Sequence, residues 1–579
     1  MLQGTPPGGK TPLAQGRFLF ALAFCALASL ALAAAWLAPN HYPPWTSFHS
    51  EAAAFAALIL FSAARLACPM PLSGTRGAWL AAPLLAIIAA QWLAGQIGYR
   101  GDALLSAFYV SGWALAWWLG VNSHGLETRR EPFVWFAWIV VIAASLAVVI
   151  AHLQWLRIEQ VLGIFAAERG PDMRAYSNLG QPNHLASLMM MATALALMLN
   201  ARGRLGAVGC IALVAWFAWG LTLSESRSGL LSAFCMGAIV VAKGRSAIAL
   251  PRARWVAAWL AALTVLALAW PSINDAMYLQ SPRGALAARD SARQVIWKQV
   301  AAGIVQSPWA GYGWRQGMSG QKAGAASVDG WQASDYAHNI VLDAMLWVGV
   351  PLGLLLTGAA TWWLARVLVR AAGATETLLF AAILPLLVHS MFEYPFAYSY
   401  FLLPGTWLAA VLWRVQQERR LRYAMPPPPR PRWRAGLAVV LFAGLGAAIA
   451  REYLLAEEDH RVMRFEMRRV GRTPAGYEAP HLVLLTQLDE MLKLGRIAPR
   501  PGMPAGEIDR LREGSVRFGW ANLHLAYAMS LAMNGAPREA EHELRLLHAS
   551  YGDEAYANAR TLWNGMQQLH PELAAVRVP

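Results

Sequence analysis

Apolar runs long enough to cross a hydrocarbon core recur along this chain from Phe18 to Ala450, and few folds accept that pattern. A bilayer core takes about 20 apolar residues as helix. Lipid offers no water to stray backbone groups, so a spanning segment is either a helix or a strand of a closed barrel. Barrel strands alternate apolar and polar residues, and these runs do not. The expected fold is therefore an all-α polytopic membrane protein with about 12–13 transmembrane helices. Thirteen spans are placed at 18–38, 51–66, 77–94, 103–121, 132–153, 184–200, 206–223, 229–243, 254–270, 339–365, 373–390, 398–414 and 435–451. Composition agrees: 57% of the 579 residues are hydrophobic and 14% are charged, against about 25% charged in soluble domains.

The formal charge of +15 could suggest a nucleic-acid partner, but outside the C-terminal tail most arginines sit in short loops between spans. Arg65 and Arg76, Arg129 and Arg130, Arg202 and Arg204, Arg366 and Arg370, and the stretch from Arg414 to Arg434 all fall in alternate loops. That is a topology signal, which puts these loops and the N-terminus in the cytoplasm and predicts no nucleic-acid binding. The opposite loops are poorer in cations and richer in motifs, so chemistry is expected on the outer face. Cys25, Cys68, Cys210 and Cys235 lie in or beside spans without metal-ligand spacing and read as small apolar residues.

The chain divides into a transmembrane core over 1–415, with a long outer loop at 271–338, and a Pro/Arg-rich cytoplasmic linker over 416–434 containing Pro426 to Pro429. A last span at 435–451 and an outer, periplasmic helical domain over 452–579 complete it. In that domain amphipathic runs are expected near 452–470, 480–495, 505–518, 520–534, 537–550 and 553–569. Leu523 to Gly535 followed by Ala540 to Leu547 reads as one helical hairpin of the tetratricopeptide sort.

Five polar constellations interrupt the apolar pattern on the outer side. Gln181, Asn183 and His184 flank Pro182 where a loop enters the sixth span; a proline at a helix start is ordinary, but amides and imidazoles there need partners and commonly face a cavity. Arg227 sits in a very short turn, Ser224 to Gly229, and either binds an anion with its forked guanidinium or merely pairs with Glu225. The long loop carries Arg283, Arg289, Arg293, Trp297 and Lys298, then Pro308, Gly311, Tyr312 and Gly313. Such a basic and aromatic segment suits an anionic headgroup with attached sugar, or a plain lipid anchor. His338 and Asn339 stand where that loop ends, and the histidine could take a proton from a hydroxyl nucleophile or simply cap a helix. Glu393, Tyr394 and Pro395 form a tight turn that says little alone.

In this order, the Arg227 turn, the Arg293-to-Trp297 step, Pro308 to Gly313 and His338-Asn339 resemble the shared core of the O-antigen ligases and polymerases. Gly180 to His184, the Glu393-Tyr394-Pro395 turn, the loop from Asn40 to Glu51 and the C-terminal extension resemble the bacterial protein O-oligosaccharyltransferases of the pilin-glycosylating type. That resemblance implies an inner-membrane transferase with its active site on the periplasmic face. It would use an undecaprenyl-diphosphate-linked glycan as donor, a protein such as a pilin as acceptor, and neither metal, nucleotide nor other cofactor. His338 would be the catalytic base, and Arg227 and Arg293 would bind the donor diphosphate. Gln181, Asn183, His184, Asn339 and Tyr394 would orient donor or acceptor, and direct displacement would invert the anomeric carbon. Ligation of glycan onto lipid A core and glycan polymerisation remain open alternatives. A lipid-linked sugar transporter would show internal repeats with interrupted helices in matching halves, and none is visible.

Overall fold

The computed structural model describes residues 12–68, 71–72, 77–123, 132–170, 173–244, 249–279, 283–330, 333–420, 431–468 and 470–578. Arg76, Arg129, Arg130 and Pro426 to Pro429 lie outside the described residues, as do the side chains of Arg283 and Arg289. Among the described residues the regular structure is helical, without a strand. The first nine α-helices are α1 (Pro12–Leu37), α2 (Phe48–Ala67), α3 (Ala81–Leu93), α4 (Arg100–Ser123), α5 (Pro132–Leu156), α6 (Pro182–Ala201), α7 (Ala207–Leu223), α8 (Arg227–Gly244) and α9 (Ala253–Ala276). The long loop folds into α10 (Arg283–Gln306), α11 (Gly317–Ala325) and α12 (Ile340–Val348). The bundle resumes with α13 (Val350–Arg370), α14 (Ala374–His389), α15 (Ser399–Arg420) and α16 (Arg432–Met467).

Nine helices among the described residues are long and apolar enough to cross a membrane, namely α1, α2, α4, α5, α6, α8, α9, α13 and α16. Shorter apolar helices at Ala78–Leu93, Ala207–Leu223 and Ala374–His389, with α15, occupy the other predicted positions. The chain is a multi-pass membrane protein. Its centre is α6, whose apolar window is 83% buried because α5, α7, α8 and α14 pack round it. Pro182 starts this helix at its first position, where a fixed φ is preorganised and no amide bond is lost. By contrast α13 stands at the periphery with 11% of its window buried.

One predicted boundary changes. The tenth span was placed at 339–365, yet the apolar run breaks at Gly349, whose φ of 81° is open to glycine at little cost. A Cβ there would lie 2.2 Å from the Trp309 carbonyl. The candidate span is therefore Val350–Arg370, and His338 precedes a separate short helix that packs on α10 through Ile296, Val300, Leu346 and Trp347. Hydropathy could not find this break, because α12 is as apolar as a span.

α16 is 36 residues long and runs unbroken through Arg451, roughly 54 Å at 1.5 Å per residue. It leads into α17 (Thr486–Leu494), α18 (Ala505–Arg517), α19 (Ala521–Met533) and α20 (Pro537–Gln567), near the positions that the amphipathic runs predict. Gly552, at φ 78°, kinks α20 between its two expected halves. This C-terminal unit docks on the bundle where α4 begins: Arg517 makes two 2.7 Å bonds to Asp102, and Thr486 Oγ1 accepts from the Gly101 amide at 2.9 Å. It also meets the folded loop, where the Gly330 amide donates to the Ala549 carbonyl at 2.6 Å.

Candidate active site

Three sequence-distant segments meet at one carboxylate. Glu393 lies in the turn between α14 and α15, with its side chain 5% exposed. Its Oε1 accepts from Arg293 Nη2 at 2.5 Å and from Asn183 Nδ2 at 3.3 Å. His338 Nδ1 stands 2.7 Å from Oε2. That approach is close but off the ideal hydrogen-bond direction. Burial alone would raise the Glu393 carboxyl, but the His338 contact and the charges of His338 and Arg293 outweigh it and hold the group well below the usual carboxylate range.

Each partner is delivered by local structure. Arg293 and Trp297 stand one helical turn apart on α10, so they share a face. The arginine reaches Glu393, and Trp297 Nε1 donates to the Ala337 carbonyl at 2.9 Å. On the other side of that residue, Asp343 Oδ1 accepts the Ala337 amide at 2.8 Å. Asn339 caps α12, its Oδ1 accepting from the Val341 and Leu342 amides at 3.0 and 3.2 Å, and its Nδ2 donates to the Met391 carbonyl at 3.2 Å. His338 between them has φ 55°, a left-handed conformation that costs a non-glycine residue about 1–3 kcal/mol. Neighbouring bonds therefore impose a strained backbone whose effect is to aim the imidazole at Glu393.

Asn183 links two of the expected motifs, because its Oδ1 accepts from Ser226 Oγ at 2.8 Å. Ser226 Oγ also accepts the Gly229 amide at 3.0 Å, which shapes the turn that opens α8 with an exposed Arg227. Tyr394 stacks on Tyr336 with centroids 4.5 Å apart and meets the edge of His338 at 4.9 Å. Gln181 precedes the first residue of α6. His184 is placed differently from an open site residue: it is 2% exposed, enclosed by Tyr398, Tyr400 and Phe401, with Tyr400 Oη 3.2 Å from Nδ1. Pro308 to Gly313 braces α12, since the Tyr312 and Gly313 amides donate to the Leu346 and Trp347 carbonyls at 2.8 and 3.1 Å.

The geometry thus sets a histidine and an arginine against one buried carboxylate, with a second arginine turn joined to it through Asn183. Residues 212–357 match the family described as O-Antigen ligase, and residues 377–564 match the C-terminal family of the virulence factor membrane-bound polymerases. A General O-oligosaccharyltransferase of Acinetobacter baylyi is 28% identical over 518 residues, covering 86% of each chain. The chain is similar to bacterial O-oligosaccharyltransferases over most of its length. It is also similar to a ComP-specific O-oligosaccharyltransferase of the same organism, 26% identical over 332 residues, or 56% of this chain and 59% of that one. It is accordingly a glycosyltransferase, and the O-Antigen ligase match runs from α7 into α13, across Arg227, Arg293 and His338.

Three parts of the candidate site emerge only from the fold. Glu393 was visible only as a turn residue, with no sign of its role as common partner. Arg315 makes a side-chain contact with Tyr336 and holds its guanidinium 5.5 Å from the Tyr109 ring centre. Burial disfavours its charge, but Tyr336, Tyr109 and nearby carboxylates outweigh that and raise its pKa further. Glu51 is buried and accepts from Trp45 Nε1 at 2.9 Å, Ser47 Oγ at 2.5 Å, the Ser399 amide at 3.1 Å and Tyr109 Oη. It ties the early loop to the Tyr398–Tyr400 wall.

Proposed function

We propose that this glycosyltransferase moves a glycan en bloc from an undecaprenyl-diphosphate carrier to a serine or threonine hydroxyl of an acceptor protein such as a pilin. In this reading the site end of the bundle faces the periplasm across the bacterial inner membrane. The observation that carries the mechanism is the shared carboxylate: Glu393 beside His338 Nδ1 favours a proton on that nitrogen and leaves Nε2 as the acceptor. The acceptor hydroxyl oxygen attacks the anomeric carbon while its proton passes to Nε2. The bond from that carbon to the diphosphate oxygen breaks, and its electron pair leaves on the diphosphate. Arg293 and Arg227 offset the charge that develops there, which suits forked, permanently charged donors and asks for no metal. Attack opposite the leaving group inverts the anomeric centre. Gln181, Asn183, Asn339 and Tyr394 set the geometry around the two arginines and the imidazole.

Acceptor class is the point on which the similar proteins diverge, since the matching family is that of the O-antigen ligases and the relatives are O-oligosaccharyltransferases. Purified full-length protein, given undecaprenyl-diphosphate oligosaccharide together with a pilin and with lipid A core, should glycosylate the pilin on hydroxyl side chains with inverted linkage. Transfer to lipid A core alone would replace this reading with ligation, and retained configuration would overturn direct displacement.

A further inference from the structure

A second site lies at the far end of the bundle. Both α13 and α15 start beside the candidate active site and run 21 and 22 residues away from it, roughly 30 Å and thus about one hydrocarbon thickness. Where they end, a cavity of about 370 Å³ opens between them, lined by Trp362, Trp363, Trp413, Arg366, Arg370 and Arg420 among others, with no carboxylate in the lining among the described residues. Arg366 stacks its guanidinium 4.6 Å from the centre of the Trp362 ring. The inner wall is fixed, because Trp363 and Trp413 both pack against Trp117 at 5.6 and 6.0 Å. Gln416 Nε2 pins α15 to α13 through the Val367 carbonyl at 2.8 Å.

Charge at this end is unevenly matched. Arg419, next in sequence to Arg420, is held by Glu376 at 2.9 Å and by the Arg370 carbonyl at 2.6 Å. The three cavity arginines instead line one pocket close enough for Arg366 and Arg420 to act on Arg370, and no carboxylate lines it among the described residues. Such a cluster favours an anion in its midst, and the forks suit phosphate. The outer wall is apolar and exposed: Leu355, Trp362 and Val369 repeat at helical spacing along the face of α13 that the bundle leaves uncovered. An anionic head with an apolar tail laid along α13 satisfies both halves of this arrangement. The positive loops expected at this end place it on the leaflet where anionic lipid headgroups meet basic residues.

We propose that the cavity between the ends of α13 and α15 is a specific binding site for an anionic phospholipid, with the phosphate among Arg366, Arg370 and Arg420 and the acyl chains along α13. The site is separate from the glycan-transfer site and independent of the reading given for it.

The test uses the full-length protein, delipidated in neutral detergent and titrated with dioleoyl phosphatidylglycerol in native mass spectrometry. One saturable lipid should be retained, with dioleoyl phosphatidylcholine held at least about tenfold more weakly. Arg366→Gln/Arg370→Gln should weaken the phosphatidylglycerol adduct about tenfold or more, and Arg420→Gln, on the other helix, should weaken it independently. Equal retention of the two lipids, or an adduct unchanged in Arg420→Gln, would overturn the proposal. Complete displacement by millimolar inorganic phosphate would show a free-anion pocket and overturn the lipid assignment. If the double variant fails to elute as folded protein, Arg420→Gln decides alone.

Discussion

At the scale of single residues, the site rests on how charges are shared. Glu393 balances both Arg293 and the imidazole, so Glu393→Gln keeps the side-chain volume and removes the charge that both partners face. Turnover should fall about 10²–10⁴-fold, as for loss of a general base, while the lipid-linked donor is still bound; turnover within a few-fold of wild type would show that the carboxylate is only a brace. Arg227→Lys retains a cation but loses the fork, and about 10²-fold slower transfer is expected for one missing electrostatic partner. A single-turnover assay with normal rate would remove Arg227 from the donor site. The sequence singles out Arg227 and His338 as polar residues at the edge of apolar runs and Arg293 as one of a basic and aromatic loop segment, and the fold brings Arg293 and His338 onto one carboxylate. Glu393 was not legible in the sequence, since its meaning comes from partners 55, 100 and 210 residues away, and Arg315 carried no signal because its setting of Tyr109 and Tyr336 exists only after folding.

Elements position these residues through breaks that hydropathy cannot see. The thirteen apolar runs correspond to helices because lipid-facing and core-facing positions are both apolar, which makes composition a sufficient guide to a span. It is a poor guide to α12, which is equally apolar yet belongs to the folded loop. Gly349 makes the separation, with φ 81° and the Trp309 carbonyl against its missing Cβ. Gly349→Ala should therefore lower stability by roughly 1–3 kcal/mol through overpacking and strain. It should also reduce transfer, because α12 follows directly on His338. Gly358→Ala, nine residues on in α13 with open space at its Cβ, should leave the thermal midpoint unchanged. Equal midpoints for the two variants would contradict the role given to the break.

Across the whole molecule, the candidate site, the folded loop and the C-terminal unit gather at one end, and the arginine cavity lies at the other. The helices of the C-terminal unit were readable from amphipathic spacing, but their docking was not: Arg517 and Asp102 are 415 residues apart. A second docking contact is buried, where Lys322 of α11 donates to His524 Nε2 at 2.6 Å and His524 Nδ1 meets Glu543. Burial pushes the Lys322 ammonium down to about 7, against the opposing pull of Glu543 and Asp335. A lysine lowered on folding binds fewer protons in the folded state than in the unfolded state between that value and its ordinary range near 10.4. Stability should therefore rise with pH above about 7, by at most roughly 1.4 kcal/mol per unit, and the penalty should be complete below it. The thermal midpoint between pH 7 and 8.5 should climb in the wild type and climb less in Lys322→Met; identical slopes would exclude Lys322 as the source. The central claim concerns the other contact at this end, the imidazole aimed by a strained backbone at a buried carboxylate. Its most direct measurement is single-turnover transfer from undecaprenyl-diphosphate oligosaccharide to acceptor protein by purified His338→Ala, alongside donor binding by the same sample. The account predicts donor binding near wild type with transfer reduced about 10²–10⁴-fold, whereas folded variant protein with near-normal transfer per molecule would contradict it.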